Sequence, residues 1–275
     1  MNSGKSSTAK NSPQKKRSKR RSNVMISHYF SLAWRGAICI TLLILWIGNL
    51  IHGGETIMYR FESHPWIMRI IWLLFVIDMV ARFFPSSIRS PGSQKQFAKN
   101  FQKTGKTEII IPDNHATALV MLAWILFNGI FGALYIVGIL DKDFMLLLCS
   151  LFSVSDIICI LFFCPFQVFF FKCRCCVSCR IYNWDFAMMF TPLFFVPGLY
   201  TWSLLAIAVV LLAIWEITFF LHPERFSENT NAYMSCAGCT EKLCRHKKQL
   251  TSLWKRNEQF FMNRVRFLRK TPSDS

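Results

Sequence analysis

The sequence predicts an all-α polytopic membrane protein with about six transmembrane helices, both termini in the cytosol and a small cysteine-rich cytosolic tail. Hydrophobic residues make up 53% of the 275 residues while the net charge is +17, so apolar and charged residues must occupy separate segments. Several segments of about 18 residues or more carry almost no charge, which is enough at about 1.5 Å per residue to cross a bilayer core of about 30 Å. Helices are expected because backbone groups in lipid must be paired within their own segment, and the alternating pattern of a membrane barrel is missing.

Six apolar segments have the length of a span and divide the chain into three regions. The spans are predicted near residues 34–51, 65–84, 116–140, 144–171, 181–199 and 202–221. Pro197 and Gly198 supply a turn between the last two spans. The membrane domain, residues 29–221, follows a basic arm, residues 1–28, and precedes a cytosolic tail, residues 222–275. The arm has too few apolar residues to offset the entropy of folding, so it is expected to be disordered.

The distribution of positive charge predicts the orientation. Only Arg60, Arg69 and Lys142 of the 32 Lys and Arg residues fall on one predicted face of the membrane. The opposite face is therefore cytosolic by the positive-inside rule, and an even number of spans places both termini there. A five-span alternative, with residues 186–221 as one bent helix, would put the basic tail outside. A membrane location is expected, the cell membrane if the source is bacterial, with anionic lipids as partners at the cytosolic face. Nucleic acid is disfavoured as a partner because membrane orientation already accounts for the charge.

Seven of the eleven Cys residues form two clusters on the predicted cytosolic face. The loop cluster consists of Cys173, Cys175, Cys176 and Cys179. The tail cluster consists of Cys236, Cys239, Cys244 and His246, with the spacing C-x2-C-x4-C-x-H. Two residues between cysteines let both sulfurs face one ion, and Gly238 permits the tight bend of a zinc knuckle. Because the cytosol keeps thiols reduced, zinc is favoured over disulfides.

Several alternatives remain open for these cysteines. The tail cluster alone provides the four ligands of a tetrahedral zinc site, or a loop cysteine replaces His246 and joins the two clusters. Cys173, Cys176 and Cys179 match the start of a ferredoxin pattern, so an iron-sulfur cluster is a minor alternative, although the Cys-Pro that should follow is missing. Reversible S-acylation at Cys175 or Cys176 and unligated thiols are further alternatives.

Charged residues are costly inside the spans, and four of them are singled out as candidates for function: Asp78, Arg82, Asp156 and Glu216. A lone carboxylate at mid-membrane costs roughly 2.5–3.5 kcal/mol, so Asp156 needs a partner or water. Arg82 is the nearest cation by depth, but it follows Asp78 by one helical turn and could pair with that residue instead. Such groups serve either in transport or in fixing the packing of the helices.

Motifs of several familiar enzyme classes are missing from the sequence, which favours a function that is not enzymatic. The sequence has no Gly-rich phosphate loop, H-E-x-x-H or G-x-S-x-G motif, which disfavours the common NTPase, zincin and serine-hydrolase classes. Apolar and basic residues alternate at helical spacing over residues 250–269, which predicts an amphipathic helix on the inner leaflet or on cytosolic loops. We expect a non-enzymatic scaffold or accessory subunit with a metal-organised cytosolic face, working with a protein partner or as a homo-oligomer. A transporter that uses intramembrane carboxylates and a thiol or iron-sulfur redox protein are the alternatives.

Overall fold

The computed structural model describes residues 17–53, 55–85, 91–111, 114–171 and 176–235. Within these ranges the regular secondary structure is helical, and strand pairing is limited to one isolated bridge between Lys103 and Asn231. The α-helices of the described ranges are α1 (Arg17–His52), α2 (Ile57–Ser63), α3 (Pro65–Val80), α4 (Pro91–Gln96), α5 (Asn114–Ile136), α6 (Lys142–Leu161), α7 (Asp185–Phe190) and α8 (Leu199–Leu221).

Four of these helices are long and apolar enough to cross a membrane: α1 over Ile26–His52, α5, α6 and α8. The pair α2 and α3 is bent by 101° and makes a fifth if the two helices together form one span. The prediction of an all-helical fold with several helices long and apolar enough to span a membrane is thereby confirmed for the described residues. Helix α1 begins at Arg17, inside the arm predicted to be disordered, and its apolar part begins earlier than the predicted span at residue 34. Residues 1–16 of the arm lie outside the described ranges.

The segment predicted as the fifth span, residues 181–199, is not one long helix. It consists of a 3₁₀ turn at Tyr182–Trp184, then α7, then a second 3₁₀ segment at Thr191–Phe195. Pro192 and Pro197 explain the break, because proline lacks the amide hydrogen that a continuing α-helix needs. The predicted fourth span is likewise shorter than expected: α6 ends at Leu161 and a π-helical turn follows at Phe166–Phe170.

Acidic side chains at one end of the bundle fix two of the helix starts. Asp141 caps α6, since its Oδ1 accepts a hydrogen bond of 2.7 Å from the amide of Phe144. Asp143, which is 2% exposed, reaches across to α2 and accepts from the amides of Ile57 (2.7 Å) and Met58 (3.2 Å). These bonds satisfy amides that have no partner within the helix itself. The start of α2 is thereby attached to the start of α6.

The broken segment around α7 lies at the centre of the bundle. Helix α1 packs along α6, α3 packs along α8, and α7 lies against both α6 and α8. Phe186, Met189 and Phe190 of α7 are each 1% exposed and join Phe75 of α3 and Trp215 of α8 in the largest apolar cluster. Large apolar side chains cover the outer faces of the long helices, for example Ile44, Leu126 and Val210, as expected for surfaces in contact with lipid.

A polar cap covers the end of the bundle where α3 and α8 terminate. We use this name for residues 91–111, 176–184 and 223–235 together. Asn231 is fully buried and donates through Nδ2 to the carbonyls of Lys95 and Arg225, at 2.9 Å each. Gln96 donates to the carbonyl of Val177 (3.2 Å) and accepts from Asn183 (2.8 Å). Side-chain bonds therefore join all three segments into one unit.

Candidate functional site: ion pairs, cavities and cysteines at one end of the bundle

Arg35 connects three of the long helices from within the bundle. Its side chain is 1% exposed and lies on α1. One guanidinium nitrogen donates to Asp78 Oδ2 on α3 at 2.7 Å. The other donates to Asp156 Oδ2 (3.4 Å) and to the carbonyl of Ser153 (3.3 Å), both on α6. The planar, forked guanidinium is suited to such a set of acceptors, and charge-assisted bonds are the stronger kind.

Aromatic rings surround the Arg35 guanidinium on several sides. Its central carbon lies 5.5 Å from the ring centres of Trp34 and Phe75 and 5.8 Å from that of Phe186. The electron-rich faces of these rings attract a cation and partly offset the loss of its hydration. The arginine is thus held by two carboxylates and by rings from α1, α3 and α7.

Two further ion pairs lie between Arg35 and the polar cap. Arg82, just after α3, pairs with Asp185, the first residue of α7. Arg180 of the polar cap forms a two-pronged pair with Glu216 on α8, with 2.7 Å between Nη1 and Oε1. Trp184 also donates to Glu216 Oε1 at 2.6 Å, and Arg180 lies 3.7 Å from the ring centre of Phe219. These pairs link the loop segments to the ends of the long helices.

The four charged residues singled out from the sequence all take part in these pairs, with partners other than those expected. Asp156 pairs with Arg35 rather than with Arg82, and Arg82 pairs with Asp185. Arg35 was not among the four charged residues singled out from the sequence, although it lies within the predicted first span, residues 34–51. The sequence could have indicated that Arg35 is buried in the membrane, because this residue lies nine residues into the apolar segment that begins at Ile26. An excess of carboxylates over arginines within the spans was a second signal, since each buried acid needs a cation.

Two cavities lie on opposite sides of the contact between Arg35 and Asp156. The Asp156 cavity, about 150 Å³, is bounded by the second half of α6, by α5 and by the segment before α7. Its polar lining includes Asp156, Asp185 and Gln167. The Arg35 cavity, about 100 Å³, is bounded by the first half of α6 together with α1, α3 and α8. The two partners of this ion pair therefore line different cavities along α6.

Negative charge exceeds positive charge around the Asp156 cavity. Asp156 and Asp185 both line it and repel each other electrostatically. With Asp78 they form three carboxylates against two guanidinium groups, Arg35 and Arg82. The Asp185 side chain is 7% exposed, and its Oδ1 atom is buried without a hydrogen-bond partner among the residues described. Buried polar atoms are normally paired, so this oxygen stands out.

The structure brings the loop cluster close to the last described residues before the tail cluster. Val177, in the middle of the loop cluster, packs on Met234, two residues before Cys236, and both side chains are buried. Cys179 lies on the other side of this loop, where it packs with Val120 and Ile181 and lines the Asp156 cavity.

The remaining predicted ligands are outside the part of the chain that the structure describes. Cys173 and Cys175 and all four residues of the tail cluster are among them, as is the side chain of Cys176. Within the described ranges, no three His, Cys, Asp or Glu side chains are grouped so that they could hold a metal ion. The predicted amphipathic helix at residues 250–269 is also outside these ranges.

Comparison with known proteins adds no relative. No protein-family model matches the chain, and no curated protein or solved structure is significantly similar to it. Function must therefore be argued from the residues and their geometry.

Proposed function

We propose that the protein is a non-enzymatic multi-pass membrane protein, a scaffold or accessory subunit, whose cytosolic face is organised by zinc. The observation that carries this proposal is the contact between Val177 and Met234. Met234 precedes the tail cluster by two residues in the sequence, so this contact supports a position of that cluster near the loop cluster, at the end of the bundle closed by the polar cap. Cysteines that approach one another in a reducing compartment are well suited to bind zinc as thiolates.

The proposed ligands are the tail set, Cys236, Cys239, Cys244 and His246, with a loop cysteine as the replacement for the closely spaced His246. Cys179 is the loop residue least suited to this exchange, because it packs toward α5 and away from Met234. Bound zinc would hold the tail and the loop together, and thereby the basic residues that follow the tail cluster at the membrane surface. Structural zinc sites of this kind contribute directly to folding.

The proposed topology has six spans with both termini in the cytosol. Helices α2 and α3 act as one bent span, and the consecutive helical turns from residue 182 to residue 195 complete the set. At roughly 1.5–2 Å per residue these 14 residues extend for about 25 Å. The segment needs no long apolar surface, because Phe186 and Phe190 are buried in protein rather than exposed to lipid. The polar cap then lies on the same side as the two termini.

Metal analysis of anaerobically purified protein tests the zinc proposal. We expect about one zinc per chain without visible absorbance, and loss of that zinc and of thermal stability in Cys239→Ser. Cys149→Ser is the matched control, since Cys149 is buried in α6 within the bundle core. Full zinc content and unchanged melting of Cys239→Ser would contradict the proposal. Iron with acid-labile sulfide would instead establish the iron-sulfur alternative.

A transporter is the second candidate, favoured by the two cavities on either side of the Arg35–Asp156 pair. Opening this pair would connect the cavities, and Asp156 would be the group that exchanges its partner. Asp156→Asn should then abolish proton flux in proteoliposomes under an imposed membrane potential while zinc content stays unchanged. Asp141→Asn, at the exposed cap of α6, is the control and should retain flux. Absence of flux in the wild-type protein would count against this second candidate and leave the scaffold untouched.

A further inference from the structure

We infer that the Asp156 cavity is a binding site for a small organic cation, a substituted ammonium group with an apolar body. The cavity of about 150 Å³ is lined mainly by apolar and aromatic side chains and by two carboxylates, Asp156 and Asp185. An apolar pocket with a few convergent polar groups is the usual form of a small-molecule site. Its volume is on the order of ten water-sized spaces, which suits a compact ligand.

The charge balance calls for a cation. Three carboxylates meet two guanidinium groups in this network, so these five side chains carry an excess of one negative charge when all of them are ionised. His28 lies close to Arg82 and Asp78 but does not supply the missing charge, because its Nε2 atom is buried without a hydrogen-bond partner in the described structure. A charged imidazolium with a buried, unpaired N–H group would be costly. The compensating charge is then either a proton on one of the carboxylates or a cation bound beside them.

The position of the carboxylates indicates where that charge would sit. Asp156 contacts Arg35 through Oδ2 at the long distance of 3.4 Å, whereas Asp78 contacts the same arginine at 2.7 Å. Asp156 is therefore the weaker of the two partners of Arg35 and the one that faces the cavity. Asp185 lines the same cavity, and its side chain is more than nine-tenths buried with one oxygen unpaired among the described residues. A cation between the two would relieve their mutual repulsion.

Aromatic rings form the remaining wall and favour an ammonium group. Trp124 and Phe152 line the cavity with ring centres 4.6 Å apart, and Phe166 and Tyr182 line it as well. The indole N–H of Trp124 donates to Thr191 Oγ1 at 3.2 Å, which holds this ring in place. Rings of this kind bind substituted ammonium ions through their faces. A metal ion is disfavoured, because the described residues offer no group of three suitable ligands.

The inference concerns binding alone and does not depend on zinc. If the protein is a transporter, which is the second candidate function, small organic cations are the class of substrate that it transports. Binding is measured without flux, so the binding site and the transporter can fail separately. Zinc content is determined on the same preparations, so that the scaffold proposal is tested separately from cation binding and from transport.

The test uses the full chain in detergent and tritiated benzyltrimethylammonium as the probe. We expect saturable binding that unlabelled probe displaces, whereas neopentylbenzene, the uncharged analogue of the same shape, does not displace it. Asp156→Asn should weaken binding by about tenfold or more, since the ammonium loses its charged partner. Asp141→Asn is the control, because it removes a carboxylate at the exposed start of the same helix without lining the cavity or pairing with Arg35. It should change affinity clearly less than Asp156→Asn.

A second variant keeps the test decisive if Asp156→Asn fails to fold. Ser155→Phe places a ring at the wall of the cavity and leaves every ion pair in place. In protein that remains monodisperse, it should abolish probe binding. Absence of saturable binding to the wild-type protein, equal displacement by the uncharged analogue, or unchanged binding in both variants would each overturn the inference.

Discussion

Arg35 carries more interactions between helices than any sequence pattern indicated. It bonds two carboxylates on two helices and a backbone carbonyl, and three aromatic rings lie around it. Lysine could not do the same, because its ammonium is a point charge without the fork that reaches separate acceptors at once. The neighbouring carboxylates partly compensate for the water that the buried guanidinium has lost.

Removing the charge at Arg35 should destabilise the bundle strongly. Arg35→Gln leaves Asp78 and Asp156 facing each other without a cation, and we expect a loss of about 3–5 kcal/mol. Size-exclusion chromatography after stepwise heating measures this loss. Arg69→Gln, an exposed arginine whose Nε donates to the Tyr200 hydroxyl at 3.3 Å, is the control and should melt within about 0.5 kcal/mol of the wild type.

Replacing the two acids together with the arginine shows whether the loss of stability comes from unpaired charge or from altered packing of the side chains. The triple variant Arg35→Gln, Asp78→Asn, Asp156→Asn should recover much of the lost stability, because no unpaired charge remains buried. If Arg35→Gln alone melts like the wild-type protein, the ion pairs do not hold α1 to α3 and α6.

At the scale of the elements, a close approach joins α5 to the broken segment near the centre. The ring of Phe195 lies directly over Gly132 of α5, so that a Cβ atom at this glycine would overlap the ring. Small residues at helix contacts in membranes permit such approaches. Gly129, three residues earlier on the same helix, has open space around its position. The two glycines therefore form a matched pair.

Alanine at these two glycines should have opposite effects. Gly132→Ala forces Phe195 to move, and overpacking of this kind costs about 1–3 kcal/mol. Gly129→Ala should be neutral or stabilising, since alanine is the better helix former. Melting in detergent, followed by intrinsic fluorescence, distinguishes them. Equal melting of the two variants would show that α5 does not pack closely on residues 191–195.

At the scale of the whole molecule, the polar cap connects the two loops with the segment that leads to the tail. Asn231 is central to it: its Nδ2 donates to two carbonyls and its Oδ1 accepts from the amide of Tyr233 at 3.1 Å. The amide of Ala232 adds a bond of 2.7 Å to the carbonyl of Gln102. Both cysteine clusters extend from this cap. Its integrity should therefore govern whether they meet.

Asn231→Ala should loosen the cap without unfolding the bundle. The variant removes the hydrogen bonds that Nδ2 donates to the carbonyls of Lys95 and Arg225, at a cost of about 1–3 kcal/mol. We expect faster trypsin cleavage between residues 95 and 106 and weaker zinc retention. Asn229→Ala is the control, because the hydrogen bonds at Asn229 run through its backbone. Identical cleavage rates in the two variants would contradict this role.

The long helices were determined by the sequence alone. Predicted spans at 116–140 and 202–221 correspond to α5 and α8, because a strongly apolar run of about 20 residues in lipid has helix as its one stable form. Asp78, Asp156 and Glu216 could also be recognised from the sequence, because a charged side chain in lipid has a high energetic cost. These properties belong to single segments, so a single segment suffices to predict them.

Only the tertiary structure decided which groups meet. The partners Arg35, Asp185 and Arg180 depend on how each helix is rotated about its axis, and that rotation is set by the packing of all helices at once. The interruption of residues 181–199 is tolerated because this segment is enclosed by protein, which hydropathy cannot report. The contact of Val177 with Met234 and the two cavities arise in the same way, from surfaces far apart in the chain.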